Sequence, residues 1–175
     1  GPKVGDELKT SALQAILIAL GLVLIYITFR FQWRQGIAAI ITLLHDVMVV
    51  VGIFSIFNKE FTLPVIAALL TVVGYSLNDT IVIFDRIREN ISKFRKRELL
   101  PLINQSVTET LSRTLLTSGT TLMVVLALVF LGGEIIHDFA FALLVGVLIG
   151  TYSSIYVASP TVLWLTKIAP PKTSD

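Results

Sequence analysis

Five blocks of about twenty mostly apolar residues, separated by short polar segments, dominate this sequence. A helix of about 20 apolar residues crosses the ~30 Å hydrocarbon core of a bilayer. Strands of a membrane barrel would alternate apolar and polar residues in segments of about ten, and the sequence shows no such pattern. We therefore predict an all-α integral membrane protein, a bundle of five transmembrane helices forming a single domain over residues 1–175. The predicted spans are residues 12–29, 36–57, 63–84, 111–131 and 139–164.

Composition excludes several other classes of protein. Charged residues make up 15% of the chain, whereas soluble domains carry roughly a quarter. The sequence has no cysteine, which excludes disulfides and cysteine-ligated metal or haem sites. A net charge of +2 and the lack of a basic stripe with interleaved aromatic residues argue against a nucleic-acid partner. We therefore expect a protein that is integral to a lipid bilayer.

The distribution of lysine and arginine predicts how the chain is oriented. Five spans place ten of these cations on one side and three on the other, with Arg113 assigned to a span. Because cytoplasmic loops are enriched in lysine and arginine, we expect a basic cytoplasmic loop at 85–109 and a cytoplasmic carboxyl terminus. The polar amino terminus is then outside, which suggests that a span precedes it in a longer protein. The ten are Arg30, Arg34, Arg86, Arg88, Lys93, Arg95, Lys96, Arg97, Lys167 and Lys172, and the three are Lys3, Lys9 and Lys59.

Asp79 interrupts the third apolar block, in the stretch VVGYSLNDTIVIFDRIREN that covers residues 72–90. At 1.5 Å per helical residue, Asp79 lies on the order of 9 Å inside the cytoplasmic edge. Helical periodicity places Ser76 and Thr80 on its side of the helix, with Asn78 flanking them. An ionisable group at this depth is costly and indicates a proton or cation site. The alternative is a structural carboxylate that is protonated or hydrogen-bonded across helices.

Arg113 is the predicted partner of Asp79. It enters the fourth block from the same side, in the stretch ETLSRTLLTSGTT at residues 109–121. Together with Thr117 and Thr120 it forms a polar stripe, which we expect to be buried against another helix. An arginine that anchors the chain by reaching to the lipid headgroups is an equally good interpretation of this spacing.

The second block carries His45 and Asp46 near its centre. Neighbouring helical residues point about 100° apart, so we expect that the two cannot both serve one site directly. One should face the bundle and the other a neighbouring subunit or water. A structural pair and a position in a proton relay both remain open. His137 is predicted to be solvated in an external loop at 132–138. The pair of small residues Gly146 and Gly150 predicts a close contact between helices.

Residues 73–90, VGYSLNDTIVIFDRIREN, closely resemble the signature of the SecF subunit of the SecDF protein-export complex. The stretch ETLSRTLLTSGTT resembles the following helix of that family, and GPKVGDEL and HDV also match it in order and spacing. The resemblance implies membership of the resistance-nodulation-division superfamily. It also implies that the chain is the last five of six helices, without the first helix and the external domain.

Function, partners and site residues follow from the same resemblance. It implies a transport subunit of the bacterial cytoplasmic membrane that uses the proton-motive force to assist export of unfolded preproteins through SecYEG, with SecD as its partner. It also implies that the protein is not an enzyme and uses protons, with no metal or other cofactor. Asp79 and Arg113 match the proton pathway of the family and face a carboxylate of the SecD half. A proton-coupled small-molecule exporter of the same superfamily and a purely structural subunit are the alternatives. The expected supporting polar residues are Asn78, Thr80, Thr117, Thr120, His45 and Asp46.

Overall fold

The structure, a computed structural model, describes residues 2–94 and 97–170, without the side chains of residues 2–4, 8, 9 and 12. Within these ranges the chain is helical apart from short connections. Five stretches are long and apolar enough to cross a membrane, as the sequence predicts: Leu13–Arg30, Trp33–Ile56, Leu63–Lys93, Leu99–Leu131 and Gly133–Ile168. The helices are α1 (Pro2–Arg30), α2 (Trp33–Ile56), α3 (Leu63–Lys93), α4 (Leu99–Leu131), α5 (Gly133–Ser153) and α6 (Ser159–Ile168).

The predicted basic loop at 85–109 is wrong, because most of it is helical. Helix α3 continues to Lys93 and α4 begins at Leu99. Side-chain pairs support the extension of α3 beyond its apolar part, including Lys93 Nζ to Glu89 Oε1 at 2.6 Å, since such i, i+4 pairs stabilise exposed helices. Five cations used to predict the orientation lie outside the part of the chain or the side chains that the structure describes: Lys3, Lys9, Arg95, Lys96 and Lys172.

The predicted external loop at 132–138 is also wrong. Only Gly132 separates α4 from α5, and Gly133 turns the chain with a φ of 74°, a conformation that glycine adopts readily. His137 therefore lies in the first turns of α5 and not in a loop. Its side chain is 44% exposed, in agreement with a solvated histidine, and its Nδ1 is 3.4 Å from Asp138 Oδ1.

Helix α5 passes into α6 through one turn of π-helix, Ser154–Ala158. Pro160 lies in the first turn of α6. Because proline has no backbone N–H, the regular hydrogen bond to the preceding turn cannot form there, which explains why the helix is irregular at this point. Ser159 Oγ donates to the backbone oxygen of Ser154 at 3.3 Å.

Helices α3 and α5 form the centre of the bundle and touch at two glycines. A Cβ atom at Gly146 would lie 2.0 Å from Cγ2 of Val72, and one at Gly150 would lie 3.2 Å from Cβ of Ser76. The close contact predicted from these glycines is confirmed. Helix α1 packs at the edge of the bundle, where Leu17 and Phe29 are exposed.

Candidate functional site

The buried polar face of α3 is the one predicted from helical periodicity. Ser76, Asp79 and Thr80 are 0%, 3% and 2% exposed. Asn78 points away from this face and is exposed. Because three polar side chains share the buried side, α3 presents them to other helices and not to lipid.

Asp79 is buried without full hydrogen bonding. Its Oδ2 is inaccessible to solvent and has no hydrogen-bond partner among the described residues. An unpartnered buried carboxylate oxygen is costly, since it has lost water without gaining another donor. The Asp79 oxygen is therefore open to a proton, or to a donor that the described part of this chain does not supply.

Arg113 approaches Asp79 without bonding to it. The positive charge of Arg113 attracts the Asp79 carboxylate, but the described side chains include no hydrogen bond or ion pair between the two. Arg113 and Asn78 line one open cavity of about 460 Å³, next to Glu109 and Arg86. The two predicted relay residues thus lie in one region of the molecule, where Arg113 is exposed and Asp79 is enclosed.

The predicted burial of the stripe on α4 is wrong within this chain. Arg113 and Thr120 are exposed and Thr117 is half-buried, and the Thr120 hydroxyl donates to backbone oxygens of its own helix. Spacings of three and four residues fit more than one face of a helix, and the face of α4 that is buried within this chain is a different one. The buried polar residues of α4 recur at intervals of four: Ser106, Thr110, Thr114 and Ser118.

Sequence reasoning missed Ser118, which connects α4 to two other helices. The hydroxyl of Tyr75 on α3 donates to Ser118 Oγ at 3.1 Å, and Thr151 Oγ1 on α5 lies 2.7 Å from the same atom. Spacing by four from Thr114 was the available signal. These bonds fix the rotation of α4, so Arg113 is turned away from the centre of the bundle.

Asp46 is at the centre of a second buried polar cluster. It is 1% exposed and accepts hydrogen bonds from Ser76 Oγ of α3 and from Ser153 Oγ of α5, the latter at 2.8 Å. His45 is partly exposed, and its Nδ1 lies 2.9 Å from Asp46 Oδ1. The prediction that one residue of the pair faces the bundle is confirmed. The expectation that the two cannot share a site is wrong, because their side chains touch.

A network of ion pairs and hydrogen bonds joins the ends of α3 and α4 beyond their apolar parts. Arg86 bonds to Glu109 through Nε and to Glu89 through Nη1, the second at 2.6 Å. Asn90, 1% exposed, donates to Glu109 at 3.0 Å and to Ser106 at 2.9 Å. This network borders the cavity that contains Arg113, and it was not predicted.

Comparison with known proteins supports the assignment made from the motifs. The family model for protein export membrane protein SecD/SecF, C-terminal, matches residues 1–168. Protein translocase subunit SecF of Vibrio alginolyticus is 56% identical over 165 residues, which cover 94% of this chain and 52% of that protein. Protein translocase subunit SecDF of Thermus thermophilus is 53% identical over 163 residues, 93% of this chain and 22% of that protein.

A solved structure shows the same arrangement of helices. The crystal structure of SecDF in its super-membrane-facing form matches with a TM-score of 0.86 and 52% identity, covering 93% of this chain and 22% of that one. The chain thus spans about half the length of the SecF relative and about a fifth of the SecDF proteins. With a family model over nearly its whole length and five membrane-spanning helices, the chain belongs to the SecD/SecF carboxyl-terminal family of multi-pass membrane proteins.

Proposed function

We propose that this chain is the membrane part of a SecF-type subunit that couples the proton-motive force to polypeptide export. The observation that carries the proposal is Asp79, a buried carboxylate with an unpartnered oxygen close to the charge of Arg113. The names of the relatives, translocase subunits of the Sec system, support export over an enzymatic role. They also favour it over the small-molecule exporter, the alternative within the superfamily.

Asp79 is the proton carrier in this proposal. Its carboxylate takes up a proton to become a neutral carboxylic acid and later releases it, while Arg113 remains charged throughout. Neutralising Asp79 removes its attraction to Arg113, which frees the arginine for another carboxylate. We assign that carboxylate to a SecD partner, because Arg113 is exposed on the surface of this chain.

In this proposal the energy of the proton gradient is used by a domain outside the membrane. Each elementary charge that crosses the bilayer supplies ~2.3 kcal/mol per 100 mV. Changes in helix packing around Asp79 would transmit this energy to the external domain that handles the preprotein emerging from SecYEG. We place the protein in the bacterial cytoplasmic membrane, with the end of α3 and the carboxyl terminus in the cytoplasm, because Arg86, Arg88 and Lys93 lie at that end.

The decisive experiment replaces Asp79 by asparagine in the full-length protein with its SecD partner. Asp79→Asn keeps the size and hydrogen-bonding capacity of the side chain but removes the titratable group. We expect proton-dependent stimulation of export to be lost while folding and assembly persist. Asp138→Asn is the matched control, because Asp138 is a partly exposed carboxylate at the opposite end of the bundle. Full export by Asp79→Asn under a proton gradient would contradict the proposal and show that Asp79 is a structural carboxylate.

A further inference from the structure

A small cavity lies at the end of the bundle where α2 begins and α6 ends. Its volume is about 150 Å³, and it lies between α2, the far end of α3 and α6. The polar side chains in its wall are Gln32, Arg34, Gln35, Arg88 and Thr166. This cavity is separate from Asp79 and Arg113, and the proposed proton relay does not use it.

The two arginines give the cavity a positive charge. Arg34 is fixed by the bond from its Nε to the backbone oxygen of Ala169 at 2.8 Å, and its Nη atoms make no ion pair with the described residues. Arg88 is about half exposed, and its Nη2 is 4.0 Å from Asp85 Oδ1. Asp85 itself is bonded to Arg30 at 2.8 Å through its other oxygen. Both guanidinium groups thus keep N–H donors for an anion, and planar guanidinium groups suit phosphate.

Gln35 indicates that the ligand of this cavity also carries a hydrogen-bond donor. The residue is 6% exposed, and its Nε2 donates to the backbone oxygen of Phe84 at 3.4 Å. Its Oε1 is buried and has no partner among the described residues. Since buried polar atoms are nearly always hydrogen-bonded, this oxygen calls for a donor. Gln35 lines the cavity, so a ligand there can supply the donor once the side chain turns its oxygen toward it. A hydroxyl group close to the phosphate would supply it.

The position of the cavity matches the headgroup layer of a membrane. The apolar part of α3 ends at Phe84, and Arg88 follows one turn later, about 6 Å further along the axis. Trp33, at the start of α2, is 54% exposed, and the Arg34 guanidinium lies 5.2 Å from its ring centroid. Tryptophan is enriched where hydrocarbon meets headgroups. The cavity therefore lies at the depth of lipid phosphates.

An apolar track leads from the cavity toward the middle of the bilayer. Ile37, Ile41 and Leu44 follow Arg34 on the same side of α2, and their exposed fractions are 39%, 39% and 59%. An acyl chain can lie along this track while the headgroup occupies the cavity.

We propose that this cavity binds an anionic phospholipid whose headgroup carries a free hydroxyl, of the phosphatidylglycerol class. Its phosphate oxygens accept hydrogen bonds from Arg34 and Arg88, and its hydroxyl donates to Oε1 of Gln35. Zwitterionic phosphatidylcholine fits less well, because it carries no net negative charge and no hydroxyl.

The test measures lipid retention by the full-length protein with its SecD partner, using native mass spectrometry. The probes are phosphatidylglycerol, phosphatidylcholine and inorganic phosphate. We expect the double variant Arg34→Ala/Arg88→Ala to bind phosphatidylglycerol about 30-fold more weakly than the unmodified protein. The control Lys93→Ala/Arg97→Ala also removes two cations from the same end of the bundle, but from outside the cavity. It should change binding little, and both variants should retain the thermal stability of the parent.

Each result supports or overturns the proposal. If the two double variants lose equal affinity for phosphatidylglycerol, the effect comes from general surface charge and the proposal is overturned. Equal retention of phosphatidylcholine and phosphatidylglycerol would overturn it as well. Displacement of the lipid by millimolar inorganic phosphate would identify a soluble anion as the ligand and overturn the lipid assignment. Gln35→Leu should lower the preference for phosphatidylglycerol over phosphatidic acid, whose headgroup has no such hydroxyl, and an unchanged preference would reject the role of Gln35.

Discussion

Replacing Gly146 by alanine should separate the two central helices. The added Cβ would lie 2.0 Å from Cγ2, 2.7 Å from Cγ1 and 2.9 Å from Cβ of Val72. Ordinary carbon contacts are about 3.5–4 Å, so the atoms must move apart by about 1.5–2 Å. Val72 is fully buried and β-branched, with one preferred rotamer in a helix, so its side chain cannot rotate out of the way. The backbones of α3 and α5 must therefore shift.

Two opposing contributions determine how much Gly146→Ala lowers the free energy of unfolding. Overpacking of this kind costs about 1–3 kcal/mol, and this case belongs at the upper end because three atoms clash. Alanine raises helix stability over glycine by up to ~1 kcal/mol. We therefore expect Gly146→Ala to lower the free energy of unfolding by about 1–2 kcal/mol. Reversible unfolding of the full-length protein in mixed detergent micelles measures this quantity.

Three further variants make the prediction specific to the contact. Gly74→Ala is the control, since a Cβ there meets nothing within 4 Å, and it should be neutral or stabilising. The free energy of unfolding of Gly150→Ala should lie between those of Gly146→Ala and Gly74→Ala, because the added Cβ would be 3.2 Å from Cβ of Ser76. Val72→Ala removes both clashing γ-methyl groups and should recover part of the loss in the double variant with Gly146→Ala. A Gly146→Ala protein as stable as the Gly74→Ala protein would refute the reasoning.

Three other outcomes are expected. Asp46→Leu removes the acceptor of the buried Ser76 hydroxyl and should destabilise the fold by about 1–3 kcal/mol, whereas Ser153 can still donate to the backbone oxygen of Gly150 at 3.2 Å. Asp46→Asn retains an acceptor oxygen and should cost less in the same unfolding assay, so equal losses would contradict this account. Cysteines at Lys93 and Lys59 should react with impermeant reagents from opposite sides of the membrane, and labelling from one side alone would reject the proposed orientation. Lys59→Ala breaks the 2.5 Å pair with the partly exposed Asp138. It should change the free energy of unfolding by less than ~1 kcal/mol, and a clearly larger loss would show that this pair is worth more than a surface ion pair.

The membrane spans could be predicted because they depend on local properties of the chain. A block of about twenty apolar residues must be helical in hydrocarbon, since each backbone group has to bond within its own segment. The connections could not be predicted in the same way. Helix α3 reaches Lys93 because of particular side-chain pairs in water, such as that of Lys93 with Glu89, and hydropathy carries no signal for them.

The candidate site was only partly predictable for a related reason. The depth of Asp79 in its apolar block indicated burial, and this holds. Whether a buried carboxylate has partners depends on distant residues, and Ser153, which bonds to Asp46, is 107 positions away in the sequence. For Arg113, the polar positions of α4 fit two faces of the helix. Bonds from Tyr75 and Thr151 to Ser118 select the face that is buried, and these contacts are tertiary.

Helix α3 contacts or carries two buried carboxylates, at positions about one turn apart. Asp46 of α2 is hydrogen-bonded to it through Ser76, whereas its own Asp79 has an oxygen without a partner among the described residues. Ser76 donates to Asp46, and the Asp46 carboxylate also contacts Ser153 and His45, so both of its oxygens have partners. Asp79, three residues further along α3, keeps a buried oxygen without a partner. In the proposed relay Asp79 is therefore the proton carrier, because a buried carboxylate oxygen without a donor favours uptake of a proton. The close approach of Ser76 to Gly150 holds this part of α3 against α5, so in the proposed relay a change of charge at Asp79 would act on a helix that is fixed one turn away.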